Sequence, residues 1–332
     1  MMINNLFYKF FILINLINST IIPLFIQDLL LIWFLMEINN LLFICYLCFK
    51  LNNKKLIFLY YMIQIIASLM MIFSLIFNNF FMINMNFLMI NFIFSLMLKL
   101  SIPPFHLWVP IIAMYMNWNM IFIFLSLQKI IPFYILSMMK MKNLIFYYLI
   151  LSSAFISMYK MINSLNLKIL LSYSSINQTS WMLLLIFLKN MFWFMYMIIY
   201  TLILFIMTYF FSFYKFYLNF LLNKHLSMNF NLSYLLMIMN LASIPPLSFF
   251  MLKWMNIFIS IFNSNLHLIF ILMMINSFIL IYIYINFMNL ILFFYSTKFK
   301  FFNFSINLIN KNFYTFLLIF INLFFSLILI LI

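Results

Sequence analysis

The sequence predicts an all-α, polytopic membrane protein of about eleven transmembrane helices, with an inverted repeat that contains two broken helices. Three observations carry that prediction. Hydrophobic residues make up 70% of the 332 positions and charged residues 6%, against about 45–50% and about 25% in a soluble domain. Surface scaling leaves no soluble interior large enough to hide that much apolar surface. The apolar residues run continuously for about 20 positions at a time, the length of a lipid-spanning helix, and do not alternate as barrel strands do. Finally, Ser101-Ile102-Pro103-Pro104 recurs as Ser243-Ile244-Pro245-Pro246, each copy inside an over-long apolar run.

Clusters of Asn, Lys, Pro and Ser mark the boundaries. Spans are expected at about 6–22, 25–49, 56–77, 87–115, 120–139, 144–162, 169–188, 191–213, 229–260, 267–295 and 312–331. They form one transmembrane domain over 1–332, with repeat one at about 1–140, repeat two at about 144–295 and a C-terminal helix at about 312–331. The first span is too long for a cleavable signal and lacks an Ala-type cleavage site. The second starts at Asp28, placed as a cap or dipole partner, and carries Glu37 near its middle. Cys45 and Cys48 close it, either as a redox pair or half a metal site, or as two small apolar residues one turn apart. With no further cysteine to complete four thiolates, the second reading is preferred.

The fourth and ninth spans exceed a membrane crossing because prolines interrupt them. Proline removes a backbone donor and pushes the preceding residue out of the α region, so two in succession break a helix. Irregular backbone at membrane depth persists only inside protein or beside a water-filled cavity. Broken helices at matching positions in two halves point to an ion site. Lys99 precedes the first break by two residues and Lys253 follows the second by seven, which predicts offsets of ~3 and ~10 Å at helical rise. The fifth span holds Lys129 before Pro132, and the seventh opens with Ser172, Ser174, Ser175, Asn177, Gln178 and Thr179.

Orientation follows from the lysines. The N-terminus and the loops after even spans hold Lys9, Lys50, Lys54, Lys55, Lys160, Lys168, Lys215, Lys224, Lys298, Lys300 and Lys311. Loops after odd spans hold only Lys140, Lys142 and Lys189. Eleven against three places the N-terminus on the basic-loop side and, with an odd span count, the C-terminus opposite.

Composition also excludes functions. Glycine is absent, which removes the Gly-rich turns that cradle nucleotide phosphates; no cofactor is expected in this chain. The net charge of +15 comes from lysines scattered between apolar runs, so nucleic acid is not an expected partner. The absence of arginine, four alanines, 49 Phe and 31 Met fit a very AT-rich genome whose code also reads AUA as Met, as in insect mitochondria.

Four ionisable residues remain inside apolar runs: Glu37, Lys99, Lys129 and Lys253. Each costs at least ~2.5–3.5 kcal/mol at a helix centre on insertion scales. They serve either as structural ion pairs or as a proton relay. Four exceed what a structural role needs, which favours the relay. Lysine suits it, because desolvation opposes the ammonium while a nearby carboxylate supports it. His106, after the first break, is either a packing or capping residue or part of a proton path. Ser174, Ser175 and Gln178 either hold a water chain or bond helix to helix. His225 and His267 lie at span edges and receive no role.

At these residues the sequence resembles the chain 2 family of NADH–ubiquinone oxidoreductase, the antiporter-like membrane subunits of respiratory complex I. Met36-Glu37-Ile38-Asn39 resembles the family's acidic helix. Leu98-Lys99, with Pro104-Phe105-His106-Leu107-Trp108-Val109-Pro110, resembles its first broken helix, and Gln128-Lys129-Ile130-Ile131-Pro132 its central-lysine motif. Tyr173-Ser174-Ser175-Ile176-Asn177, running to Trp181-Met182-Leu183, resembles its serine helix; Ile244-Pro245-Pro246-Leu247 with Lys253-Trp254 resembles the second break. The match covers about residues 28–255. The resemblance implies a proton-translocating module of the mitochondrial inner membrane, with Glu37 and Lys99 as modulating pair, Lys129 as central carrier and Lys253 as exit-side lysine. It implies other membrane-arm subunits as partners and the bilayer, with cardiolipin a candidate lipid. The chain departs from the family at Ser101 and Ser243, where glycine is usual around the breaks, at Gln178, usually histidine, and at Leu252, commonly proline.

Two alternatives stand beside this reading. A stand-alone cation/proton antiporter would transport without redox partners, and a structural scaffold would tolerate a neutral residue at position 129. The lysine bias makes its own prediction: protease protection in mitoplasts is expected to place an N-terminal tag on the matrix side and a C-terminal tag in the intermembrane space. Two tags on one side would require an even span count.

Overall fold

A computed structural model of the chain describes residues 2–80, 85–139, 143–164, 166–188, 191–213, 228–261 and 267–299. Helices form all the regular structure among them. The expected span 312–331 lies outside the described residues, as does His225. Contacts divide the chain into two compact units, Met1–Ile145 and Phe146–Ile332.

In the first unit, α1 (Met2–Ile21) ends in a short 3-10 turn at Ile22–Phe25, set by Pro23 at its start. Asp28 is the N-cap of α2 (Leu29–Lys50), although its side chain makes no capping bond. Next come α3 (Lys54–Phe80) and α4 (Met85–Leu100), which stops at the first Pro-Pro pair, and α5 (Trp108–Tyr115), which restarts after it. The expected span 120–139 is split into α6 (Trp118–Leu125) and α7 (Leu127–Met138). This interruption lies at Ser126, three residues before Lys129, and was not expected. The Ser126 hydroxyl donates back to the Phe122 carbonyl, and the Lys129 amide donates to the Ser126 carbonyl in a tight three-residue turn. Pro132 lacks an amide to continue the regular ladder just beyond. Helix α7 packs against α1, α2 and α4, which makes it the hub of this unit.

In the second unit, α8 (Asn143–Ile162), whose first residues belong to the first unit, leads to α9 (Leu167–Phe187) and α10 (Phe192–Phe213). The second break divides α11 (Met228–Leu241) from α12 (Ser248–Ile261), and α13 (His267–Phe299) follows. Helix α9 is buried throughout from Leu170 to Ile186, despite its hydroxyls and amides. Ser172, Ser174, Ser175, Thr179 and Ser180 resolve that conflict by donating to carbonyls three residues back. Asn177 donates across to Ser157 Oγ on α8 at 3.2 Å.

Among the described residues, six helical segments are long and apolar enough to cross a membrane, with Trp118–Met138 taken as one despite its interruption. Their outer faces remain apolar: Phe58 is 61% exposed on α3 and Phe278 63% on α13, surface that lipid would solvate. Lys50, Lys54, Lys55 and Lys160 are exposed at helix ends. Cys45 and Cys48 are free and exposed, so they form neither a disulfide nor part of a buried cluster.

The two breaks share one backbone solution. Ser101 has φ 57° and Ser243 φ 58°, both left-handed, and Pro103-Pro104 and Pro245-Pro246 are both cis. At the first break the Ile102 amide reaches the Met97 carbonyl at 3.0 Å and the Ser101 amide the Leu98 carbonyl at 3.4 Å. At the second, Ile244 reaches Met239 at 3.3 Å and Ser243 reaches Asn240 at 2.9 Å. This is a Schellman helix stop, whose left-handed position normally takes glycine. With no glycine in the chain, serine occupies it at about 1–2 kcal/mol. Each serine hydroxyl donates to the carbonyl before it, Leu100 or Ala242, at 2.5 Å. Ser101→Gly is therefore expected to keep the stop and preserve or raise stability. Ser101→Val, β-branched at a positive φ, is expected to cost roughly 1–3 kcal/mol. The thermal midpoint and yield of purified protein check both.

Candidate functional site

In the first unit, three buried or part-buried charged side chains converge on α7 and its neighbours. Lys99 lies on the last turn of α4, where the carbonyl end of the helix favours a cation. Its Nζ donates to Glu37 Oε1 on α2 at 2.9 Å, with the lysine side chain 2% exposed and the glutamate 23%. Asn40, one turn along α2, donates to the same oxygen at 3.3 Å. Lys129 is buried on α7, at 4% exposure.

Lys99 and Lys129 line one cavity of about 10 Å³ with Asn40, Gln64, Ser101 and Gln128, close to the space one water needs. Tyr60 Oη, Trp108 Nε1 and Gln128 Nε2 belong to cavity-lining residues and are buried without a protein hydrogen-bond partner. Tyr60, Trp108 and Phe124 of that lining pack on one another, with Phe43 against Tyr60 and Phe124, at ring centroids 5.2–6.1 Å apart. The result is a small polar chamber behind an aromatic wall. His106 is buried beside the first break with Nδ1 3.3 Å from the Pro104 carbonyl.

In the second unit, Lys253 is buried on α12 while its neighbour Trp254 is 54% exposed, so the two Lys–Trp pairs are not equivalent. The expected ~10 Å separation of Lys253 from its break does not hold for the ammonium: Nζ donates to Ser243 Oγ at 2.6 Å. The reason is geometric. Side chains on a helix lean toward its N-terminus, and a flexible four-carbon stem spans the remaining distance. Asn240 ties the two half-helices together, accepting from the Phe249 amide at 3.2 Å and donating to Ser248 Oγ at 3.1 Å. Within its own unit, each lysine thus carries its charge to the carbonyl end of the half-helix that precedes its break. Lys253 also lies 5.9 Å from the Trp181 ring, over its face.

One turn before Trp181 on α9, Gln178 accepts a hydrogen bond from the Tyr196 hydroxyl. Tyr200 lies beside Ser175 and Tyr284 beside Ser174. The phenols were missed at the sequence level, because 20 tyrosines in the chain give no single one prominence. Asn40 and Gln64 were also missed, though Asn40 lies at helical spacing from Glu37 and was legible in principle.

No protein-family model matches the chain. It is 27% identical over 239 residues to NADH-ubiquinone oxidoreductase chain 2 of Artemia franciscana, an alignment spanning 71% of this chain and 75% of that one. It is 32% identical to the same subunit of Apis mellifera ligustica over 164 residues, 48% of this chain and 49% of the other. A chain of respiratory complex I from Thermus thermophilus has the same fold, with a TM-score of 0.77 at 15% identity, covering 97% of this chain and 79% of its own. The resemblance read from the motifs therefore stands.

Breaking the pair of Glu37 and Lys99 leaves an uncompensated charge at membrane depth: Glu37→Gln leaves the enclosed ammonium, and Lys99→Met leaves a carboxylate that is part-buried in the protein. Each single variant is expected to destabilise, by up to the ~3–5 kcal/mol of a broken buried pair. The double variant is expected to depart from additivity by about 0.5–3 kcal/mol. Thermal unfolding of the four proteins measures both.

Proposed function

We propose that this chain is an antiporter-like, proton-translocating membrane subunit of respiratory complex I, working alongside the other membrane-arm subunits. It is a multi-pass protein of the mitochondrial inner membrane. NADH oxidation and ubiquinone reduction take place on other chains, and this one supplies part of the proton path coupled to them. The observation that carries the reading is the ion pair of Glu37 and Lys99 beside a polar chamber that also holds Lys129. A purely structural pair needs no chamber, and a purely structural chamber needs no third charge.

The residues divide the work. Glu37 and Lys99 act as the modulating pair. A carboxylate in contact supports the ammonium, while desolvation opposes it. Drawing the two apart frees the Lys99 proton to pass through a water in the chamber to Lys129. The Ser126 interruption next to Lys129 and the first break next to Lys99 give both helices places to adjust. Lys253 is the exit-side carrier. His106 in the first unit, and Ser174, Ser175 and Gln178 in the second, are further members of the proton path, with Tyr196 completing the hydrogen bond at Gln178, a residue that does not itself titrate. No cofactor or nucleic acid takes part in this chain's work. Anionic lipid, cardiolipin among the candidates, meets the lysines at the helix ends. The N-terminus faces the matrix and the C-terminus the intermembrane space.

Lys129→Met tests the reading. Removing a buried charge also removes its desolvation cost, so assembly is expected to survive. Protons translocated per NADH oxidised, measured in reconstituted complex, are expected to fall. Normal pumping in a normally assembled complex would return Lys129 to a structural role.

A further inference from the structure

The chain has two acidic side chains, Asp28 and Glu37, and both belong to the first unit. Within the second unit, no acidic side chain exists to hold Lys253, which is 5% exposed. A buried ammonium without oxygen ligands is costly. What the unit supplies instead is a hydroxyl. Lys253 Nζ donates to Ser243 Oγ at 2.6 Å, and Ser243 Oγ donates to the Ala242 carbonyl at 2.5 Å. The ammonium thus polarises the hydroxyl, and the hydroxyl passes that polarisation to a backbone oxygen at the end of α11. The Trp181 face, 5.9 Å away, covers the same ammonium.

Ser243 is also one of two described residues, with Ser101, whose backbone is left-handed. Its φ of 58° lies in the left-handed region, and it occupies the helix-stop position that glycine fills without penalty. The side chain that makes the position unfavourable is the one that meets Lys253. Ser101 has the same backbone in the first unit, but there Lys99 is held by Glu37.

We infer that Ser243 is a positioning residue for Lys253: its hydroxyl serves as the neutral counter-group that keeps the ammonium at the second helix break. This deepens the assignment of Lys253 as a proton carrier and rests on it for its functional consequence. A neutral partner also gives the site a different character from the first unit. Lys253 can give up its proton without stranding a buried carboxylate, and the same hydroxyl can then turn to donate to the neutral amine.

Ser243→Gly separates this role from a structural one. Glycine relieves the left-handed backbone, so the complex is expected to assemble with unchanged or higher thermal stability. At the same time the Lys253 side chain loses its oxygen. In cryo-electron density of the assembled complex, Nζ is expected to move out of contact with the break. Pumping per NADH is expected to fall toward the level of Lys253→Met, and Ser243→Gly added to Lys253→Met is expected to cause no further loss. Ser243→Asn, which tolerates a positive φ and keeps a polar oxygen, is expected to restore the contact and the pumping ratio. Lys253 density unchanged in Ser243→Gly would overturn the inference. So would a further loss of pumping on the Lys253→Met background, which would mean that Ser243 acts without Lys253. If Lys253→Met alone pumps normally, the carrier assignment fails, while the density still decides whether Ser243 holds the lysine.

Discussion

An ammonium at membrane depth must meet oxygen, and that requirement organises both units. Water cannot supply it along a helix packed against apolar neighbours. Each unit answers with a helix stopped part-way and a side-chain oxygen that meets the charge beside that stop. Lys99 sits on the final turn of its half-helix and pairs with Glu37 at 2.9 Å. Lys253 starts from the other side of its break and reaches back to Ser243 at 2.6 Å. The two solutions differ in the partner, carboxylate against hydroxyl, and agree in the place, the carbonyl end of a helix that has been cut short.

A chain without glycine has to make those cuts with other residues. The helix stops show how. Proline at positions 103, 104, 245 and 246 prevents the helix from continuing. The left-handed residue that closes each stop is serine, whose hydroxyl bonds locally to the preceding carbonyl. The substitution has a backbone cost, yet it brings a polar group to the break that glycine lacks. The same economy appears along α9, where buried hydroxyls satisfy themselves on their own helix. Its Asn177 and Gln178 are left to connect α9 with α8 and with Tyr196.

Much of this was legible in the residues. Among the described residues, continuous apolar runs located the helices and the repeated Ser-Ile-Pro-Pro located both breaks, because proline's effect on the backbone is local and independent of context. The insertion cost of Glu37, Lys99, Lys129 and Lys253 singled them out for the same reason. Contact across the fold was less legible. Helical rise places backbones and not side-chain ends, so Lys253 was expected far from its break. The interruption at Ser126 had no strong local marker, since a serine in an apolar helix usually bonds back without ending it. The chamber wall drew on Tyr60, Trp108 and Phe124, aromatic residues among many, and only packing reveals which of them face a charge.

The central claim is that a proton passes between Lys99 and Lys129 through the chamber they share. The most direct test is density for the assembled complex at a resolution that shows ordered water. The account predicts a water in the cavity of about 10 Å³, within hydrogen-bonding distance of both lysines and of at least one of Tyr60, Trp108 and Gln128. A dry chamber, with those three groups bonded to one another across it, would contradict the account.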